Sequence, residues 1–182
     1  MIELPKLAAL ASSLKRHEGM VLSPLRRGEY FKLQYRGEVV GKERPRFSKL
    51  TGATHTAPKT RAYEKKIKDK ATAEFRALGC PIFRCDLAAH VVFYDVVPAD
   101  WPDWMTRLAL DGLIYSTKGA DLDNKVKAVL DPLNGVVYHD DRQIVQTFMV
   151  RKYAQYEGFD LSLAGCGFTR HDLDNLRKMM AF

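Results

Sequence analysis

The residues best suited to chemistry are a short acidic run, Asp121-Leu122-Asp123-Asn124, followed by Lys127 and by a second acidic pair, Asp140-Asp141. On a helix, residues two apart point about 200° away from each other, so two aspartates at that spacing share an ion only in extended chain. The preceding stretch, STKGA at 116–120, has no helical pattern. Asp121 and Asp123 are therefore expected in extended chain, with a helix starting at Asp123 or Asn124 and Lys127 returning one turn on. That helix is expected to stop at Asn134-Gly135, and the short VVYH at 136–139 to bring Asp140 and Asp141 back toward the helix start. Three clustered carboxylates repel one another, and hard divalent cations with oxygen ligands, Mg2+ or Mn2+, relieve the repulsion. Two such ions about 3.5–4 Å apart can activate a water and polarise a phosphodiester, with Lys127 adding positive charge where it develops. The plainer alternative makes Asp123 a helix cap and Asp140-Asp141 a turn.

The acidic motif occurs twice, since DLDNLRK at 172–178 repeats the Asp-x-Asp-Asn and the Lys at its seventh position. Its neighbours differ. Thr169 followed three residues later by Asp172 resembles a capping box, which starts a helix at Arg170 and points Asp172 and Asp174 apart. Acids suit the first turns of that helix, and Arg177 and Lys178 its far end. The second copy is expected to be a charged terminal helix.

The elements that must position the first copy are legible around it. Alternation of Phe31, Leu33 and Tyr35 with Tyr30, Lys32, Gln34 and Arg36 predicts a half-buried strand. Thr60 is placed to cap a helix whose Tyr63, Ile67, Ala71, Phe75 and Leu78 share a face, ended by Gly79 and Pro81. The apolar run 87–97 predicts a central strand, and a short helix is expected near 105–110. Val126, Val129, Leu130 and Leu133 give the helix after the acidic run. A turn then leads into a strand with Ile144, Gln146, Phe148 and Val150 on one side, and 158–165 is a last strand. Residues 4–17 have the spacing of a short amphipathic helix. This order implies a single α+β or mixed α/β domain, a mixed sheet packed against helices.

Charge is unevenly spread along the 182 residues, whose net charge is +7. Residues 36–70 hold eleven Lys or Arg against four acids, and residues 95–141 hold nine Asp against four bases. A basic segment beside an acidic one suits a polyanion gripped by the first and worked on, through cations, by the second. Three cysteines without zinc-ligand spacing read as reduced thiols. With no run of eighteen apolar residues and no secretion signal in the first fifteen, a cytoplasmic protein is expected.

At these residues a family resemblance enters. DLDNKVKAVLDPLNGVVYHDDRQIV, with ERPRFSKLTGATHTAPKTRAYE upstream of it, resembles the RusA-type Holliday junction resolvases, especially their phage-like branch. The two stretches cover roughly 40–155, which sets a nuclease domain at 26–163 between extensions at 1–25 and 164–182. The resemblance implies a homodimeric, Mg2+-dependent endonuclease, tolerant of Mn2+ and needing no small-molecule cofactor, that cuts four-way DNA junctions with paired symmetric nicks. It implies Asp121, Asp123 and Asp141 as metal-binding aspartates, with Asp140 second to Asp141, and Lys127 as the essential lysine. Arg44, Arg46, Lys59, Arg61 and Lys118 would hold phosphates, and Phe47 would stack or wedge at the branch point, or simply pack. Lys125 stands where the family usually has an apolar residue. Two rival readings are a junction-binding protein without catalysis and a Mg2+-dependent Asp-x-Asp nucleotidyltransferase. The absence of a Gly-rich phosphate loop counts against the last.

Overall fold

The computed structural model describes residues 30–42, 46–47, 54–55 and 57–166, with only the backbone described at 46–47 and 54–55. Strands β1 (Tyr30–Arg36), β4 (Asp86–Val96), β5 (Ile144–Ala154) and β6 (Gly158–Cys166) form a four-stranded sheet in the order β1-β6-β4-β5. β6 is antiparallel to both its neighbours, and β5 is parallel to β4, so the sheet is mixed. β2 (Arg46–Phe47) and β3 (Thr54–His55) pair as a small hairpin inside the basic segment expected to be a loop.

Helix α1 (Pro58–Ala77) lies on one face of the sheet. Pro58 begins it, as proline's fixed φ and missing N–H suit a first helical position. Thr60 is therefore not its cap but a fully buried residue of the first turn, and its hydroxyl has no partner among the described residues. Tyr63, Ile67, Ala71 and Phe75 are buried at helical spacing, and Phe75 meets Phe31 and Phe83 edge-on. Leu78, expected on the same face, is the C-cap and stands exposed, because Gly79 at φ +64° turns the chain away there.

β4 sits inside the sheet as its apolar run implies, yet its residues alternate: Leu87, Ala89, Val91, Phe93 and Asp95 are buried under the helices. The other face of the sheet is open among the described residues. A register shift where β4 meets β5 changes one expected facing. Ile144 pairs with Leu87 and packs against the core, whereas Gln146, Phe148 and Val150 align with Ala88, His90 and Val92 on the open face. The extra residue of this bulge separates Ile144 from the strand partners assigned to it by alternation alone.

After β4 the chain forms α2 (Asp103–Leu110), then α3 (Leu122–Leu130) and a 3-10 turn (Asp131–Leu133). Pro132 ends the α-helical hydrogen bonding three residues before Gly135, which takes φ +71°. Trp101 anchors the segment before α2 by edge contact with Tyr153, and Trp104 stands exposed. None of the three cysteines is in a disulfide. No helix among the described residues is long and apolar enough to cross a membrane.

Candidate active site

Asp121 is the N-cap of α3, in extended backbone at φ −56° and ψ 146°. An N-cap aspartate ordinarily accepts a backbone N–H with its side chain. Asp121 makes no such bond, so its exposed carboxylate is not committed to holding the helix. Asp123, expected to be extended, lies instead within the first helical turn, so only the first of the two aspartates is in extended chain. Lys127, one turn on, pairs with Asp123 at 3.3 Å. Both side chains are more than half exposed, and a pair of that kind is weak enough to yield to a stronger ligand.

Asp140 and Asp141 do not return to this end of the helix. Tyr138 Oη donates to the Leu130 carbonyl at 2.6 Å, at the C-terminal end of α3. Burial, and then the charges of Asp141 and Asp131, push the Tyr138 phenol up. Register along the sheet agrees. Ile144 is level with Leu87, whereas Arg151, which donates to the Ala120 carbonyl, is level with Phe93. Six residues of strand are roughly 20 Å. The chain between the helix and β5 closes on the far end of α3 because Tyr138 is drawn into the core there. Among the described residues, no group of three or more His, Cys, Asp or Glu is placed to hold a metal ion.

The acidic pair itself divides its labour. Asp140 caps the turn Asp141–Gln143 by accepting the Arg142 N–H at 2.9 Å, which is the main cause holding its carboxyl below the ordinary range. Gln143 completes the box. Its Oε1 accepts the N–H groups of His139 and Asp140, and its Nε2 donates to the carbonyls of Phe83 and Cys85 at 3.0 and 2.9 Å. Asp140 is thus occupied, and Asp141 is the exposed carboxylate the turn presents. The Asp-Asp-x-Gln spacing carried this signal, because a Gln three residues after an Asp is capping-box spacing. Stripping these four bonds with Gln143→Ala is expected to lower the unfolding free energy by about 2–4 kcal/mol, read by urea denaturation.

Of the residues expected to meet DNA, Lys59 and Arg61 are exposed on the first turns of α1, with Lys59 paired to Glu38 at 2.5 Å. Lys118 is exposed in the loop before Asp121, one residue before Gly119 at φ +75°. Arg46 and Phe47 lie in β2, of which only the backbone is described, and Arg44 lies outside the described residues. The lead-in helix at 4–17 and the second acidic motif also lie outside them.

Sequence reading missed a buried ionic group beneath the acidic end of α3. Lys125 is 3% exposed, and its Nζ lies 3.1 Å from Asp95 Oδ1. Arg151 binds Asp95 Oδ2 through Nη2 at 3.1 Å and Nε at 3.4 Å. Burial alone would raise the Asp95 carboxyl, but hydrogen bonds from Ser116, Lys125 and Arg151, with the charge of Lys125, hold it below its ordinary value. The one signal was an Asp in a buried strand and a Lys on an apolar helix face, each odd alone and sensible as a pair.

The mixed sheet and its covering helices make an α+β unit with an acidic helix start beside a basic segment. The family model for endodeoxyribonuclease RusA matches residues 36–163, and the chain belongs to this family, the RusA-type Holliday junction resolvases. No curated protein matches the chain.

Proposed function

We propose that the protein resolves four-way DNA junctions as a homodimer, by Mg2+-dependent hydrolysis with paired symmetric nicks, Mn2+ substituting for Mg2+. The observation that carries this reading is the uncommitted Asp121 carboxylate at the start of α3, with Asp123 one residue into the helix. Asp121, Asp123 and Asp141 are the oxygen ligands, a donor set that suits a hard divalent cation. Such a cation supplies charge to polarise the scissile phosphate and to lower the pKa of an attacking water. Lys127 leaves Asp123 for the phosphate, and Asp140 holds the turn that presents Asp141. Arg44, Arg46, Lys59, Arg61 and Lys118 bind the backbone, and Phe47 stacks at the branch point. Residues 26–163 are the nuclease unit, flanked by extensions at 1–25 and 164–182, and the setting is the cytoplasm of a bacterial or phage-infected cell.

The separation of Asp141 from Asp121 along one chain supports a site shared between two copies. A two-fold axis lets each protomer offer its Asp141 to the Asp121 and Asp123 of its partner, and paired nicks need two sites so related. Mixing inactive Asp121→Asn with inactive Asp141→Asn tests this. In shared sites, one of the two sites of each mixed dimer is fully wild type, so single nicks reappear without full resolution. If each chain supplies its own three aspartates, every site stays broken, and the absence of nicking from verified mixed dimers refutes the shared arrangement. A wild-type protein that binds junctions but never nicks them under any divalent ion would leave only the reading as a non-catalytic junction binder.

A further inference from the structure

Asp121 does not hold its own helix start, so its direction must be set by the backbone on either side. Both flanking carbonyls are held. The Asp121 carbonyl accepts the Lys125 N–H at 3.0 Å, an ordinary first bond of the helix. The Ala120 carbonyl, which no helix claims, accepts Arg151 Nη1 at 3.2 Å. Arg151 is 9% exposed, and its Nε and Nη2 donate to Asp95. Asp95 in turn binds Lys125 and Ser116, the residue that opens the loop to Asp121.

We propose that Arg151 is a positioning residue for the metal site: anchored by Asp95 beside Lys125, it fixes the peptide before Asp121 and so aims the Asp121 carboxylate. The proposal rests on the reading of Asp121 as a metal ligand. Arginine suits the task because its planar fork binds a carboxylate on one side and keeps a third donor in fixed register for a carbonyl, which a lysine does not. Opposite this clamp Gly41 lies against Ala120 so closely that a Cβ added at 41 would overlap the Ala120 Cβ, and Lys42 donates its N–H to the Asn124 carbonyl at 3.0 Å. Ala120 is thus gripped from two sides, by a buried charge and by a close backbone approach. The two cations share one carboxylate, which leaves an excess positive charge one helical turn from Asp121, of the sign that tolerates clustered acids.

The test measures Mn2+ affinity of the full-length protein without DNA, by electron paramagnetic resonance, beside four-way-junction affinity in EDTA and the Mg2+ concentration giving half-maximal nicking. Arg151→Lys, which keeps the charge and loses the fork, is expected to weaken Mn2+ binding about 10–100-fold and to raise the Mg2+ requirement in step. Junction affinity in EDTA should change less than about twofold, since the buried side chain does not reach DNA. A folded Arg151→Lys with wild-type Mn2+ affinity overturns the proposal. Asp121→Asn, run in parallel, separates the two ideas. If it retains Mn2+ binding and nicking, the metal-site reading has failed; if it loses both while Arg151→Lys is unaffected, the positioning role alone has failed. Should Arg151→Lys not fold, Gly41→Ala presses on Ala120 without changing any charge and is expected to weaken Mn2+ binding likewise. Unaltered binding in that variant also overturns the proposal.

Discussion

Asn in place of Asp121 or Asp123 will reduce junction nicking at saturating Mg2+ by about 10^3-fold or more, because on the proposed function each change removes a charged oxygen ligand where phosphate charge must be neutralised. Junction binding in EDTA will persist in both variants and tighten modestly, since each removes one negative charge from a surface that faces a polyanion. The two effects have opposite signs, so a misfolded variant, which would lose both, is told apart at once. Asp174→Asn, in the second copy of the motif, will retain wild-type nicking. Gel assays on a synthetic junction, with and without Mg2+, check all three. Loss of nicking in Asp174→Asn would mean that the terminal motif, not the one at α3, carries the chemistry.

Asp95→Asn will cost the fold about 3–5 kcal/mol, because it leaves Lys125 and Arg151 buried together without a counter-charge. Lys125→Met will cost far less, within about 1 kcal/mol, since the remaining Asp95–Arg151 pair is neutral overall and Met fills the lysine stem's space. For a chain of this size the first change corresponds to a fall of about 10 °C in Tm. The carboxyl of Asp95 is held below its ordinary value, so the sign of its linkage is fixed. Its contribution is complete above the unfolded value of about 4 and is lost as pH falls through the lower folded value. Wild type will therefore lose stability on its acid limb below about pH 4, and Asp95→Asn, already lacking that contribution, will have a flatter limb. Equal denaturant midpoints for Asp95→Asn and wild type at pH 7 would refute the account.

The strands and α1 could be read from sequence because their signal is local. One face of each is buried, and a period of two or 3.6 records it residue by residue, as in Leu87 to Phe93 or Tyr63 to Phe75. Thr60 was misplaced because a capping residue and a buried threonine share a preference for the first turn, and Pro58 decides between them. Asp123 entered the helix because the chain becomes helical one residue earlier than the carboxylate argument required, at Leu122. The position of Asp141 was beyond local pattern altogether. It depends on Tyr138 being drawn to the Leu130 carbonyl and on Gln143 being tied to the carbonyls of Phe83 and Cys85, contacts spanning up to sixty residues. Lys125 was visible as a lysine on an apolar helix face, where the family has an apolar residue, and the other members of its ionic group, Asp95 and Arg151, come from two different strands.

The bulge at the start of β5 places a frame constraint on the chain between Asp141 and Arg151. Side chains alternate along the strand, and the extra residue beside Leu87 turns Thr147, Met149 and Arg151 toward the helices and Phe148 away. Deleting the unpaired residue would restore unbroken alternation and leave Arg151 level with Phe93 on the helix face, whereas closing the bulge with every residue kept would swing Arg151 to the open face, away from Asp95 and Ala120. Changes of two residues would preserve the facing and merely slide the strand. Length variation in this stretch should therefore be limited to loss of the unpaired residue and to even steps, and a single-residue insertion within the paired strand would uncouple Arg151 from Asp121 with no other side chain altered.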